Sequence, residues 1–284
     1  MGTTHTPLRY PGGKSRLAPF VRQILDENGL TGGEYAEPYA GGSGIALSLL
    51  ITGDASRVHI NDLNSRVYAF WKSVFQQPDE LCKLIRDTSV TIRSWKRQRS
   101  IFHAPNDHSE LEVGFATFFL NRTNRSGILT GGVIGGINQR GRWKINARYN
   151  KTALCLKIER IATYADRVFV YNLDAEVFLT KLPRFLSGKS LVMLDPPYYR
   201  RSQRLYQNLY EHHDHARIAR IVTNLKVPWI ISYDDEPEVR KLYSSFRNRT
   251  YGLLYSAAEK YIGMEVLFFS PKLKLPREPS PVLN

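Results

Sequence analysis

Apolar and polar positions along the chain sort into short apolar runs that alternate with segments of helical period. Three stretches share one layout, a β-like run, a turn rich in glycine or acid, then a helix-period segment. EYAEPYAGGSG runs into IALSLLITG, RVHINDL into NSRVYAFWKSVF, and RVFVYNLD into AEVFLTKLPRFL. LVMLDPPY, the helix-period HDHARIARIVTNL, the strand-like VPWIISY and the late runs YGLLYS and EVLFFS extend the alternation. The pattern predicts an α/β fold with a parallel, doubly wound sheet. Between residues 64 and 150 the alternation stops and gives way to helix-like segments, then to NRTNRSGILTGGVIGGINQRGRWKINAR. This reads as a mainly helical insert, 64–150, that divides one domain into 1–63 and 151–272. A Pro-containing tail over 273–284 is expected to fray.

Charge adds a partner to this picture. Lys and Arg number 40 against 26 Asp and Glu, a formal net charge of +14, which favours a polyanion. From Val113 to Ile158 no acid occurs, while Arg122, Arg125, Arg140, Arg142, Lys144, Arg148, Lys151 and Lys157 do. The insert is therefore expected to touch phosphates. A membrane surface fits less well, because the basic clusters IRSWKRQR (92–99) and YYRRSQR (198–204) are interspersed with Trp and Tyr rather than built as a Lys-rich amphipathic helix. No run approaches the roughly 18 apolar residues a spanning helix needs, and MGTTHTPLRYPGGK lacks a signal-peptide core, so a cytoplasmic setting is expected. Cys82 and Cys155 have no CxxC spacing and predict neither a disulfide framework nor a zinc site. His212, His213, Asp214 and His215 precede a helix-period run and read as a solvated helix N-terminus rather than a metal site.

In an open α/β sheet, ligands sit beyond the carboxyl ends of the strands, so the residues after each β-like run are the candidates for chemistry. After the first run come Glu37, Pro38 and the loop Gly41, Gly42, Ser43, Gly44, where glycines permit close backbone approach to a ligand. A plain tight turn is the competing reading. After the second stands Asp62, which could accept both hydroxyls of a ribose or cap the helix beginning near Asn64. Asp174 follows the third run with the same alternatives. Taken together in this order, the three imply a nucleoside cofactor, while the absence of GxGxxG and GxxxxGK[ST] spacings argues against NAD and ATP. RYPGGK (9–14), with Tyr10, Gly12, Gly13 and Lys14, suits closure over a small ligand or a simple turn. The fourth strand-like run ends in Asp195, Pro196, Pro197 and Tyr198. Two prolines stiffen the backbone and offer carbonyl oxygens without N–H groups, and Asp195 is a pure acceptor. Such acceptors suit an exocyclic amine, holding its nitrogen in line with an electrophile while Tyr198 stacks on the base.

DPPY resembles motif IV of the amino-methyltransferases that use S-adenosyl-L-methionine. The ordered set RYPGGK, EPYAGGSG, INDLN, NRTNRSG and DPPYY, over residues 8 to 270, resembles the Dam-type, D12 class, alpha-group family of DNA adenine-specific N6-methyltransferases. The resemblance implies a Rossmann-like methyltransferase sheet with an inserted target-recognition domain over 64–150. It implies S-adenosyl-L-methionine as cofactor, S-adenosyl-L-homocysteine as product, and double-stranded DNA with an everted adenine as substrate. A bacterial or phage origin, a monomer or weak dimer, and no metal belong to the same expectation. Tyr10, where many relatives have Trp, and Lys14 with Gly12 and Gly13 would contact the cofactor. Glu37, Pro38 and Gly41 to Gly44 would approach its methionine part, Asp62 its ribose and Asp174 its adenine. Asp195 and Pro196 would hold the target amine. Arg9, Arg122, Asn124, Arg125, Ser126, Arg140, Arg142 and Lys144 would contact DNA. Arg125, Ser126, Thr130 and the following GGVIGG depart from the GATC-methylating members, so GATC specificity does not transfer. Structured RNA is the alternative substrate, and a catalytically dead relative should have lost Lys14, Asp62 or Asp195, all of which are present.

Overall fold

The computed structural model describes residues 5–9, 14–186, 188–199, 210–255 and 261–276. Seven strands, β1 (Gly33–Glu37), β2 (Ala55–Asn61), β3 (Val168–Tyr171), β4 (Ser190–Leu194), β5 (Trp229–Asp234), β6 (Asn248–Tyr255) and β7 (Tyr261–Phe269), form one sheet in the order 3-2-1-4-5-7-6. Each coincides with one of the apolar runs. Strands β1 to β5 are parallel, whereas β7 is antiparallel to both β5 and β6. The parallel, doubly wound sheet expected from the sequence is present and carries antiparallel strands at one edge. Residues 256–260 alone separate β6 from β7, and so short a link returns the chain antiparallel, since a parallel crossover needs about a dozen residues or more. Strand β1 lies between β2 and β4, so the winding reverses there and a crevice opens beyond the strand ends.

The helices are α1 (Ala18–Glu27), α2 (Gly44–Thr52), α3 (Ser65–Gln76), α4 (Pro78–Asp87), α5 (Ile92–His103), α6 (Glu110–Thr123), α7 (Lys151–Ala162), α8 (Ala175–Lys181), α9 (His212–Thr223) and α10 (Pro237–Leu242). Helices α3 to α7 occupy the chain between β2 and β3. At their centre is α6, started by a Ser109/Glu112 capping box and buried along Val113 to Asn121, as a helix walled in on all sides must be. Among the described residues no helix is long and apolar enough to cross a membrane. Cys82 on α4 and Cys155 on α7 are free and buried, each sulfur facing the other's carbonyl.

Because the central strands are covered on both faces, the two-residue strand period decides which side each residue serves. On one face Tyr35, Leu191, Met193, Ile230, Leu267 and Phe269 join one core with α1, α2 and α3 to α7, including Phe70, Trp71, Phe118 and Phe119. On the other, Ala36, Val192, Leu194, Ile231, Val266 and Phe268 pack with α8, α9 and α10. The same alternation sends Glu37, Asp195, Ser232 and Glu265 to the first face, the side on which α1 and the helices between β2 and β3 pack.

Candidate active site

A cavity of about 530 Å³ opens at the carboxyl ends of β1, β2 and β4. Its floor is the turn between β1 and α2. Gly41 adopts a left-handed φ of 44°, and its N–H donates to Asp62 Oδ2 at 2.9 Å. The Gly41 carbonyl in turn accepts the indole N–H of Trp71 at 2.9 Å, which ties the loop to α3. A Cβ on Gly44 would fall 1.8 Å from Ser15 Oγ, so only glycine lets α2 begin against the residue that follows Lys14. Glu37 accepts the Ala46 N–H at 3.0 Å, and burial pushes its carboxyl up to about 8. Asp62 uses one oxygen for Gly41 and the other for the Asn64 N–H at 2.9 Å; burial outweighs both bonds and pushes it up to about 6. It is not the helix cap. That position is filled by Asn64, whose side chain accepts from the Arg66 N–H at 3.0 Å.

Beside the cavity a buried ionic network joins four elements of the fold. Lys14 Nζ lies 2.6 Å from Asp195 Oδ1, 2.8 Å from Glu265 Oε2 and donates to Ser232 Oγ at 2.6 Å. Burial alone would depress the Lys14 pKa, but the two carboxylates outweigh it and hold the pKa above the ordinary lysine value. Glu265, fully buried in β7, also accepts from Ser232 at 3.2 Å, from the Tyr251 hydroxyl, and from the Tyr198 hydroxyl at 3.0 Å. Strand register explains part of this convergence, since Tyr251 on β6 stands opposite Glu265. Asp195 keeps a third of its side chain exposed where it lines the cavity. Burial pushes its pKa up to about 6, with Lys14 opposing the shift and Glu265 adding to it.

The cavity brings together Arg9, Lys14, Glu37, Pro38, Gly41 to Gly44, Asp62, Arg122, Asp195 and Pro197 from the sequence reading. Other expected residues fall elsewhere. Tyr198 is only 2% exposed and lines no part of the cavity; its hydroxyl is engaged with Glu265 and its ring centroid is 5.7 Å from Lys14 Nζ, which corrects the stacking role given to it. Pro196 is buried. Asp174 caps α8 through the Glu176 N–H at 2.8 Å and does not line the cavity, so its capping alternative is the observed one. Asn124 is fully buried, accepting from Trp95 Nε1 at 2.7 Å and donating to the carbonyls of Ile128 and Leu129 at 2.9 Å each; its amide holds a turn and is closed to DNA. His215 is buried against Tyr233 and held near pKa 4 by desolvation, unlike the solvated N-terminus expected of its cluster. Arg125, Arg140, Arg142 and Lys144 are exposed, and Ser126 is partly buried in a left-handed turn, φ 55°. Tyr10, Gly12 and Gly13 lie outside the described residues, as does most of the 198–204 cluster and of the 273–284 tail.

Some wall residues were missed from sequence. Tyr39 and Tyr210 line the cavity with hydroxyls 3.2 Å apart. Glu265 carried a signal that went unused, a lone acid at the inward-facing parity of the apolar run EVLFF.

A family description, D12 class N6 adenine-specific DNA methyltransferase, matches residues 10–257, and the chain belongs to that family. Among curated proteins no match is found. Among solved structures, the chain is similar to PH1948 of Pyrococcus horikoshii, described as a "putative RNA methyltransferase", at 11% identity and a TM-score of 0.42, covering 89% of this chain and 80% of that one. It is also similar to SMU.776, described as a "putative methyltransferase" complexed with SAH, at 10% identity and a TM-score of 0.35, covering 87% of this chain and 48% of that one.

Proposed function

We propose that the chain transfers a methyl group from S-adenosyl-L-methionine to the N6 amine of an adenine everted from duplex DNA, with residues 64–150 as the part that holds the DNA. The observation that carries this reading is Asp195, an acceptor fixed by Lys14 at the end of β4 and partly open to a cavity that Glu37 and Asp62 also line.

The residues present suit the cofactor. Asp62 retains accepting capacity on both oxygens for ribose hydroxyls after one backbone bond to each. The buried Glu37 carboxyl would ionise against the ammonium of a methionine moiety, and the Gly41–Gly44 turn lets the backbone approach it. When bound, S-adenosyl-L-methionine supplies an electrophilic methyl on a sulfonium. The chain's own part is position and charge. Asp195 accepts an N–H bond of the amine and aims its nitrogen, which gains the methyl as the sulfonium C–S bond breaks and gives up one proton by way of the Asp195 carboxylate to solvent. Pro197, Tyr39 and Tyr210 offer the apolar wall for the base. Arg9 and Arg122 pair with no carboxylate among the described residues, and burial, then neighbouring cations, hold both pKa values below the ordinary arginine value. An anion such as a phosphate at the cavity mouth would relieve them.

The test is methyl transfer from labelled S-adenosyl-L-methionine to duplex DNA, with structured RNA as competitor and the product nucleosides separated. N6-methyladenine in the DNA is expected. Label appearing only in RNA, or in neither, contradicts the reading.

A further inference from the structure

Three of the chain's four tryptophans, Trp71, Trp95 and Trp229, are buried, whereas Trp143 is 61% exposed. It stands on a loop whose shape is fixed from within. Gln139 donates to the carbonyls of Ile134 at 2.8 Å and Gly136 at 2.6 Å, and accepts the Ile145 N–H at 2.8 Å. The Gly141 N–H reaches the Gly135 carbonyl at 3.1 Å, and Gly135 approaches so closely that a Cβ there would lie 2.6 Å from the Trp143 carbonyl. The loop is fastened to the end of α6 by bonds from the Arg125 N–H to Gly132 and from the Ile134 N–H to Thr123, both 2.9 Å. Bonds within the loop and to α6 thus hold a large aromatic ring in water.

Its surroundings select the partner. The Arg142 guanidinium lies 5.6 Å from the Trp143 ring centroid. Together with Arg125, Ile134, Gly135 and Gly141 these two residues enclose an open hollow of about 400 Å³. Arg140 and Lys144 are exposed on the same loop, and no acid lies within Val113 to Ile158. Phosphate binding alone would need only the cations; an indole face gains by stacking on another flat ring. Position agrees, because Arg125 in the hollow is two residues from Gly127, which lines the active-site cavity, a chain span of at most about 7 Å.

We propose that this hollow is a second nucleobase site, in which Trp143 stacks on a base of the duplex near the everted adenine while Arg125 and Arg142 hold the flanking phosphates. The proposal rests on the DNA reading above. Its test uses the full chain with two readouts: anisotropy of a labelled duplex for binding, and acrylamide quenching of tryptophan emission with and without saturating unlabelled duplex. Trp143→Phe supplies the background from the three buried tryptophans. The expected result is that duplex shields Trp143 from acrylamide, that Trp143→Phe retains affinity, and that Trp143→Ala, with an unchanged urea midpoint, weakens binding roughly ten-fold or more. If the duplex binds but Trp143 stays as open to acrylamide as in the free protein, or Trp143→Ala binds equally well, the base site is wrong and the DNA reading stands. If the wild-type chain binds no duplex, both fail.

Discussion

At Asp195, burial and the Glu265 carboxylate push the acid up to about 6, while the Lys14 ammonium 2.6 Å away pulls it down. An acceptor for an amine must be ionised, so the acid limb of the methyl-transfer rate is expected near pH 6, with activity lost as pH falls below it. Glu265 is placed to position Lys14 and is not itself exposed to substrate. Replacing it, Glu265→Gln, removes a negative charge that raises the Asp195 pKa and leaves Lys14 paired with Asp195 alone. Both changes lower that pKa. The acid limb of kcat is therefore expected to move to lower pH by on the order of half a unit to one unit. A rate that drops equally at every pH, with the limb unmoved, would make Glu265 merely structural. Asp195 was legible in the sequence because acid and prolines end an apolar run. The role of Tyr198 was not, because its partner Glu265 lies on β7 and only the assembled sheet brings them together. Asn124 misled in the opposite direction, since an amide in NRTNRSG reads as a polar contact until Trp95 is seen to cover it.

Between elements, the seam of the site is the meeting of the NRTNRSG turn with the segment before Lys14. Asn121 on α6 takes the Arg9 N–H at 2.7 Å and returns a bond to the Arg9 carbonyl at 2.8 Å. Gly127 lies against the same carbonyl with a φ of 78°, where a Cβ would come within 2.0 Å of the oxygen. Gly127→Ala must therefore part the turn from Arg9. A loss of about 1–3 kcal/mol in unfolding free energy, read from urea denaturation, is expected together with reduced activity. An unchanged midpoint would mean the turn has slack that the geometry does not show. This seam also explains what could be read from sequence at this scale. Short apolar runs marked all seven strands, most plainly β1, β4 and β5, which are buried along their whole length. The reversed direction of β7 is a property of strand pairing, which no run of residues encodes on its own. Helix α1 escaped notice because APFVRQILDE follows RYPGGK without a strand before it to suggest the alternation.

For the whole molecule, one core spans the first sheet face and α3 to α7, so the part proposed to hold DNA and the part proposed to hold the cofactor are packed as one apolar mass. Charge is distributed unevenly over that mass, with the acid-free stretch from Val113 to Ile158 supplying eight cations, of which Arg122 and Lys157 line the cavity. Duplex affinity is accordingly expected to fall roughly a hundred-fold or more between about 50 and 200 mM salt. A flat salt profile would remove phosphate contacts from the account. The central claim, that Asp195 grips the adenine amine during transfer, is tested most directly by single-turnover methyl transfer with Asp195→Asn. The account predicts a chemical step slowed by about 10²- to 10³-fold with duplex and cofactor affinities nearly unchanged; a step as fast as that of the wild type would contradict it.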